Sequence, residues 1–195
     1  KRQGKRCTEI FESHGLLTDK CVMAHCVYLE DGELDTFARR GAGVACCPLS
    51  NAIFSLSPGW HAFPFHKAHA KGVRVGMGTD IAGGYAASIL VACRHAAVAS
   101  KHDMDAKDVD YKDAFWAATL GGARALGLDT VLGNFEVGKQ FDAVRINCEA
   151  GNYDTFPSAI HPCCPSRLEH DFEKFVNLGD DRNIASVYVQ GKRRR

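Results

Sequence analysis

His25 and Asp80 are the residues whose types and positions point to chemistry. Each stands at the end of a short apolar run: VMAHC at 22–26, and VRVGMG at 73–78 followed by Thr79-Asp80. An imidazole and a carboxylate at one edge of a sheet form part of a zinc site, since both are ordinary zinc donors. Each also has a bland role open to it. His25 suits a histidine satisfied within a core, and Asp80 suits the cap of a following helix. Spacing alone leaves both readings open.

The elements that position them follow from the hydrophobic pattern. Residues 21–26 (CVMAHC), 43–47 (GVACC, followed by Pro48-Leu49-Ser50-Asn51) and 73–78 have the length and Gly/Pro bounds of buried parallel strands. A helix is predicted between the first two. Asp31 caps it, Leu34, Phe37 and Ala38 share its inner face, Arg39 and Arg40 occupy its last turn, and Gly41 ends it. A shorter helix precedes the third strand, with Pro64 at its first position, Phe65 and Ala68 inward and Gly72 at its end. The β-α-β-α-β order predicts a parallel sheet with helices outside, whose carboxyl edge is where ligands collect.

Further along, Gly83-Gly84 reads as a tight turn rather than a phosphate loop. An Ala-rich helix is predicted over 86–100, a charged loop over 101–110, a helix over 111–119 stopped by Gly121-Gly122, and a short helix over 123–126. The character then changes to a small β-rich appendage, with strands at 141–146 and 187–190 and little periodicity over 149–183. The chain therefore divides into a lead-in (1–20), a partial β/α region (21–130) and the appendage (131–195). The polar front and the KRRR end read as loose, solvated basic segments.

Composition narrows the class. Lys and Arg number 24 against 23 Asp and Glu, a balance without the basic excess of a nucleic-acid binder. No run of 18 apolar residues and no signal peptide appear, which predicts a cytoplasmic protein that does not span a membrane. Nine cysteines, an odd number with no CxxC, fit reduced thiols rather than a disulfide framework or zinc finger. Cys46 and Cys47 read as small buried hydrophobes. His61, His66 and His69 lie close in sequence, but no partner cysteine or acid completes a second metal set. The chain opens at Lys1, and its first methionine is Met23, so it is expected to be a piece of something longer.

Several motifs agree in order and distance with one family. VMAHC (22–26), CCPLSN (46–51) and GMGTDIAGG (76–84) resemble the last three strands of an amidohydrolase-superfamily barrel. TLGGARALGL (119–128) and GNFEVGKQFDAVRIN (133–147) resemble the superfamily's C-terminal signature. FESHGLLTDK (11–20), GTDIAGGY (78–85) and LGDDRNI (178–184) are similar to the guanine deaminase branch. The resemblance runs from about residue 8 to 191; residues 1–7 and the last four stand outside it.

That resemblance implies a (β/α)8 TIM-like barrel with a small β-sandwich, and a Zn2+-dependent hydrolysis of guanine to xanthine and ammonia by a usually dimeric enzyme. It implies that His25 and Asp80 are metal ligands, and that Asp80 is also the catalytic proton acceptor. The family's HxH pair, its further histidine and its glutamate shuttle are absent from this sequence. The chain is therefore expected to be the C-terminal part, about three of eight strands, and inactive alone. Departures within the match are Cys26 where the family usually has Gly, Cys46 where it usually has His, and Arg145 in a strand that is usually apolar. Two other readings stand beside this one: a zinc amidohydrolase acting on a related ring, and a non-catalytic remnant.

Overall fold

The computed structural model describes residues 4–54, 62–102, 109–150 and 166–195. His61, His161 and the Cys163-Cys164 pair lie outside them. The chain separates into two compact units, residues 1–134 and 135–195.

The first unit is α/β. Strands β1 (Val22–Ala24), β2 (Gly43–Cys46) and β3 (Arg74–Met77) form a parallel sheet in that order. Val22 pairs with Gly43, and Val44 with Val75. Around it lie α1 (Cys7–Ser13), α2 (Asp31–Arg40), α3 (Pro48–Phe54), α4 (Phe65–Ala70), α5 (Ile89–His102), α6 (Tyr111–Ala118) and α7 (Leu120–Ala125). Helix α2 forms where the sequence places it, but Glu30 is its N-cap and Asp31, expected to cap it, is its first residue. Glu33 returns its carboxylate to the N–H of Glu30, two arginines sit in the last turn, and Gly41 ends the helix at φ +69°. Its Leu34 and Phe37 are fully buried with Val44, Leu49 and Val75, which makes this the centre of the core.

The first unit corrects several expectations. Residues 4–20 are no loose tail, because α1 is tied down by partners far away in sequence. The buried Thr8 hydroxyl donates to Glu33 Oε1 at 2.7 Å, Arg6 meets Glu33 Oε2 at 2.6 Å, and Glu12 accepts from Arg39 and Arg40, each at 2.9 Å. Pro64 is the N-cap of α4 rather than its first residue, and an additional helix, α3, starts at Pro48 directly after β2. Helix α5 runs on to His102, into the expected loop. Gly121 and Gly122 lie inside α7 rather than stopping a helix; the break falls at Thr119, with φ −121° and ψ −98°. The glycines serve close packing of α7 on the sheet: a Cβ on Gly121 would sit 2.6 Å from the Val75 carbonyl oxygen, and one on Gly76 2.9 Å from Gly122 Cα.

The second unit pairs β4 (Ala143–Ile146), β5 (Ile184–Val189) and β6 (Lys192–Arg193) antiparallel in that order, beside α8 (Arg167–Leu178). Helix α8 lies within 149–183, where the sequence shows little periodicity. Ser166 caps it by accepting from the Glu169 N–H, and Phe175 and Val176 are buried. The basic end is likewise ordered. Gln190 and Gly191 both take positive φ, the two-residue hairpin turn whose twist matches its strands, and Lys192 pairs with Val189. Arg145 is exposed on β4, opposite Ser186, so its charge stays in water. The LGDDRNI segment is a staple: fully buried Asn183 accepts from the Asp180 N–H, and its amide donates to the carbonyls of Asn147 and Ala150.

Candidate functional site

The parallel sheet ends on one edge with His25 after β1 and Asp80 after β3. The last ladder bond at β1 is donated by the His25 N–H to Ala45 O, at 3.0 Å. The chain then turns sharply, with φ +68° at His25 and +54° at Cys26. Asp80 has φ +46°, and its carbonyl accepts from the Gly84 N–H at 2.5 Å, closing a tight turn. Positive φ is uncommon outside glycine, and such strained residues cluster at functional sites. Cys26, standing where the resembled family usually has Gly, thus adopts a conformation that glycine would take without strain.

These turns bring His25 Nε2 to 3.8 Å from Asp80 Oδ2, with both side chains about two-fifths exposed (45% and 39%). Zinc lies about 2.0–2.1 Å from a histidine nitrogen and about 2.0–2.2 Å from a carboxylate oxygen. Those lengths sum to more than the observed gap, so one ion reaches both atoms and the pair fits the metal. Among the described residues no group of three or more His, Cys, Asp or Glu is placed to hold a metal.

Two neighbours complete the geometry. A Cβ on Gly83 would stand 2.7 Å from Asp80 Oδ2, so only a glycine leaves the carboxylate where it is. Asn51, on α3 behind the middle strand, places Oδ1 2.9 Å from His25 Nδ1 and is 9% exposed. Asn51 lies within CCPLSN, and its residue type alone assigns it no role. The available signal was its place one helical turn beyond the carboxyl end of a strand flanked by the strands of His25 and Asp80.

The remaining candidates do other things. Cys46 and Cys47 are buried, as expected of small hydrophobes in the strand. Burial pushes the Cys46 and Cys26 thiols up to about 12 and Cys93 up to about 11, which keeps them protonated and unreactive near neutral pH. His66 Nε2 lies 3.3 Å from Asp113 Oδ2, and the His69 ring meets Trp116 edge-on at 4.9 Å. The two histidines thus face different partners.

The amidohydrolase family model matches residues 2–194. The chain is 44% identical over 198 residues to the guanine deaminase of Mus musculus, covering 96% of this chain and 41% of the relative. Among solved structures, E. coli guanine deaminase superposes with a TM-score of 0.81 at 33% identity, over 96% of this chain and 41% of that one. A guanine deaminase from C. acetobutylicum with bound guanine in the active site gives 0.79 at 28% identity, over 98% and 43%. An adenosine deaminase from Xanthomonas campestris with bound zinc gives 0.76 at 27% identity, over 98% and 40%. The chain spans about two-fifths of the length of the relatives it matches.

Proposed function

Because the chain belongs to the amidohydrolase family, we propose that it supplies one part of the active site of a zinc-dependent guanine deaminase, which hydrolyses guanine to xanthine and ammonia. The observation that carries this is the His25–Asp80 pair, two donors held 3.8 Å apart at the carboxyl edge of a parallel sheet. The similarity to guanine deaminases favours guanine over a related ring. The three parallel strands then belong to a (β/α)8 barrel and residues 135–195 to its small β-sandwich.

In this reading His25 and Asp80 would hold the metal. A bound zinc ion there supplies Lewis acidity and an activated water at neutral pH. Asp80 takes at Oδ2 the proton shed as water adds to the ring carbon bearing the amine. Partial exposure of both side chains leaves that position open to substrate. Proton acceptance by a positioned carboxylate is worth roughly 10²–10⁴-fold.

The test is xanthine and ammonia formation from guanine by this chain completed with a polypeptide that supplies the remaining strands, beside Asp80→Asn and His25→Ala. Asp80→Asn is expected to lower turnover by at least roughly 10²–10⁴-fold, and His25→Ala to weaken metal retention. Near-normal guanine turnover in Asp80→Asn overturns the reading. Turnover of a different ring, with none of guanine, replaces the substrate.

A further inference from the structure

We infer that Asn51 is a positioning residue that selects the tautomer of His25, and so decides whether His25 and Asp80 form a seat for a cation or a hydrogen-bonded pair; the inference rests on the zinc reading above. The amide oxygen of Asn51 lies 2.9 Å from His25 Nδ1. An amide oxygen only accepts, so with Oδ1 in this place the proton belongs on Nδ1. In the neutral ring Nε2 is then a bare lone pair, and it faces the Asp80 carboxylate at 3.8 Å. Two acceptors aimed at one point repel each other unless something positive lies between them. That is the electrostatic condition of a metal seat.

The opposite tautomer gives a different device. With a proton on Nε2, His25 would donate toward Asp80 Oδ2, and the two would satisfy each other without a metal. Asn51 prevents this by offering Nδ1 an acceptor. Its burial gives that choice force. Asn51 is 9% exposed, and among the described residues its Nδ2 has no hydrogen-bond partner. Among the described residues, its one side-chain hydrogen bond is with His25. Helix α3 makes the placement possible, because it starts immediately after β2 and carries Asn51 behind His25. All three strand ends thus contribute: His25 from β1, Asp80 from β3, and the residue that orients His25 from the segment following β2.

The test reads the tautomer directly and needs no turnover. In metal-free protein labelled with nitrogen-15 at histidine, two-bond proton–nitrogen correlation at a pH where the ring is neutral should show His25 protonated at Nδ1. Asn51→Leu, of similar volume but without the acceptor, should populate the Nε2–H form and weaken zinc binding by about 10–100-fold in competition with a chromogenic chelator. Asn51→Asp restores an acceptor and should restore both the Nδ1–H signature and the affinity, which a merely space-filling role would not predict. Wild-type protein in the Nε2–H form overturns the inference. So does an unchanged tautomer and affinity in Asn51→Leu, or, should that variant fail to fold, loss of the Nδ1–H form in Asn51→Asp. Failure of the underlying zinc reading looks different: Asp80→Asn would then bind zinc as the wild type does, whatever the His25 tautomer.

Discussion

Asp80 lays its carboxylate against Gly83 so closely that a Cβ there would stand 2.7 Å from Oδ2 and 3.3 Å from Cγ. The intruded atoms are the free end of a side chain, so the carboxylate, not the backbone, has to yield. Gly83→Ala should therefore separate function from folding. Calorimetry should find the melting temperature shifted by a few degrees at most, the effect of about 1 kcal/mol or less. Chelator competition should find zinc affinity lowered by about tenfold or more. Unchanged affinity would mean that Asp80 does not face the metal.

Much of the architecture around this pair was legible in sequence because it rests on local pattern. The three strands, the α2 face of Leu34 and Phe37, and the Gly41 stop all follow from periodicity and capping. His25 and Asp80 were placed at strand ends for the same reason. What stayed hidden depends on contacts distant in sequence. Helix α1 is held by Glu33, Arg39 and Arg40, and nothing in its own residues announces them. The glycines of α7 were read as a stop because their packing against Val75 and Gly76 is tertiary. His and Asp tolerate positive φ better than most residues, but only the tertiary turn calls for it at His25 and Asp80, and Asn51 gains meaning only when α3 sets it beside His25.

Glu33 gives the fold an acid-sensitive joint. Burial works to raise its pKa, but the Arg6 guanidinium, the Glu30 N–H and the Thr8 hydroxyl outweigh it and hold the carboxyl below its ordinary value of 4.5. A depressed carboxylate contributes stability that is present above the ordinary value and is lost as pH falls through the folded one. Glu33→Gln should thus destabilise the chain at neutral pH by about 1–3 kcal/mol. In denaturant titrations the gap from wild type should shrink once the pH drops below 4.5. A gap that stays constant down to pH 3 would show that the charge of Glu33 contributes nothing.

Asn183 lies in LGDDRNI, a segment that resembles guanine deaminases. Its side chain joins the end of β4 to the turn that opens β5, through the Asp180 N–H and the Asn147 and Ala150 carbonyls. Asn183→Ala should strand these buried groups and cost about 1–3 kcal/mol. Hydrogen exchange should quicken in β4 and β5 while β1–β3 keep their protection. Loss of zinc affinity with undisturbed exchange would instead give the motif a role at the metal.

The 195-residue chain alone should carry zinc far below one ion per chain and release no ammonia from guanine. A catalytic zinc site takes three protein ligands plus water. The described residues bring together His25 and Asp80 and no third His, Cys, Asp or Glu. With two donors, much of the metal's binding energy goes into ordering the site, and retention through purification is poor. The relatives that resemble this chain are more than twice its length by the share it covers, 41%, which leaves room for further ligands outside the matched part. Metal analysis of the purified chain, paired with an ammonia assay on guanine, checks both statements. Adding a separately made polypeptide that carries an HxH pair and the remaining strands should raise zinc content toward one per complex and switch on turnover, and Asp80→Asn should abolish both gains. One zinc per chain with guanine turnover in the isolated protein would show that its own residues complete the site, with His61, His66 and His69 the first to be replaced.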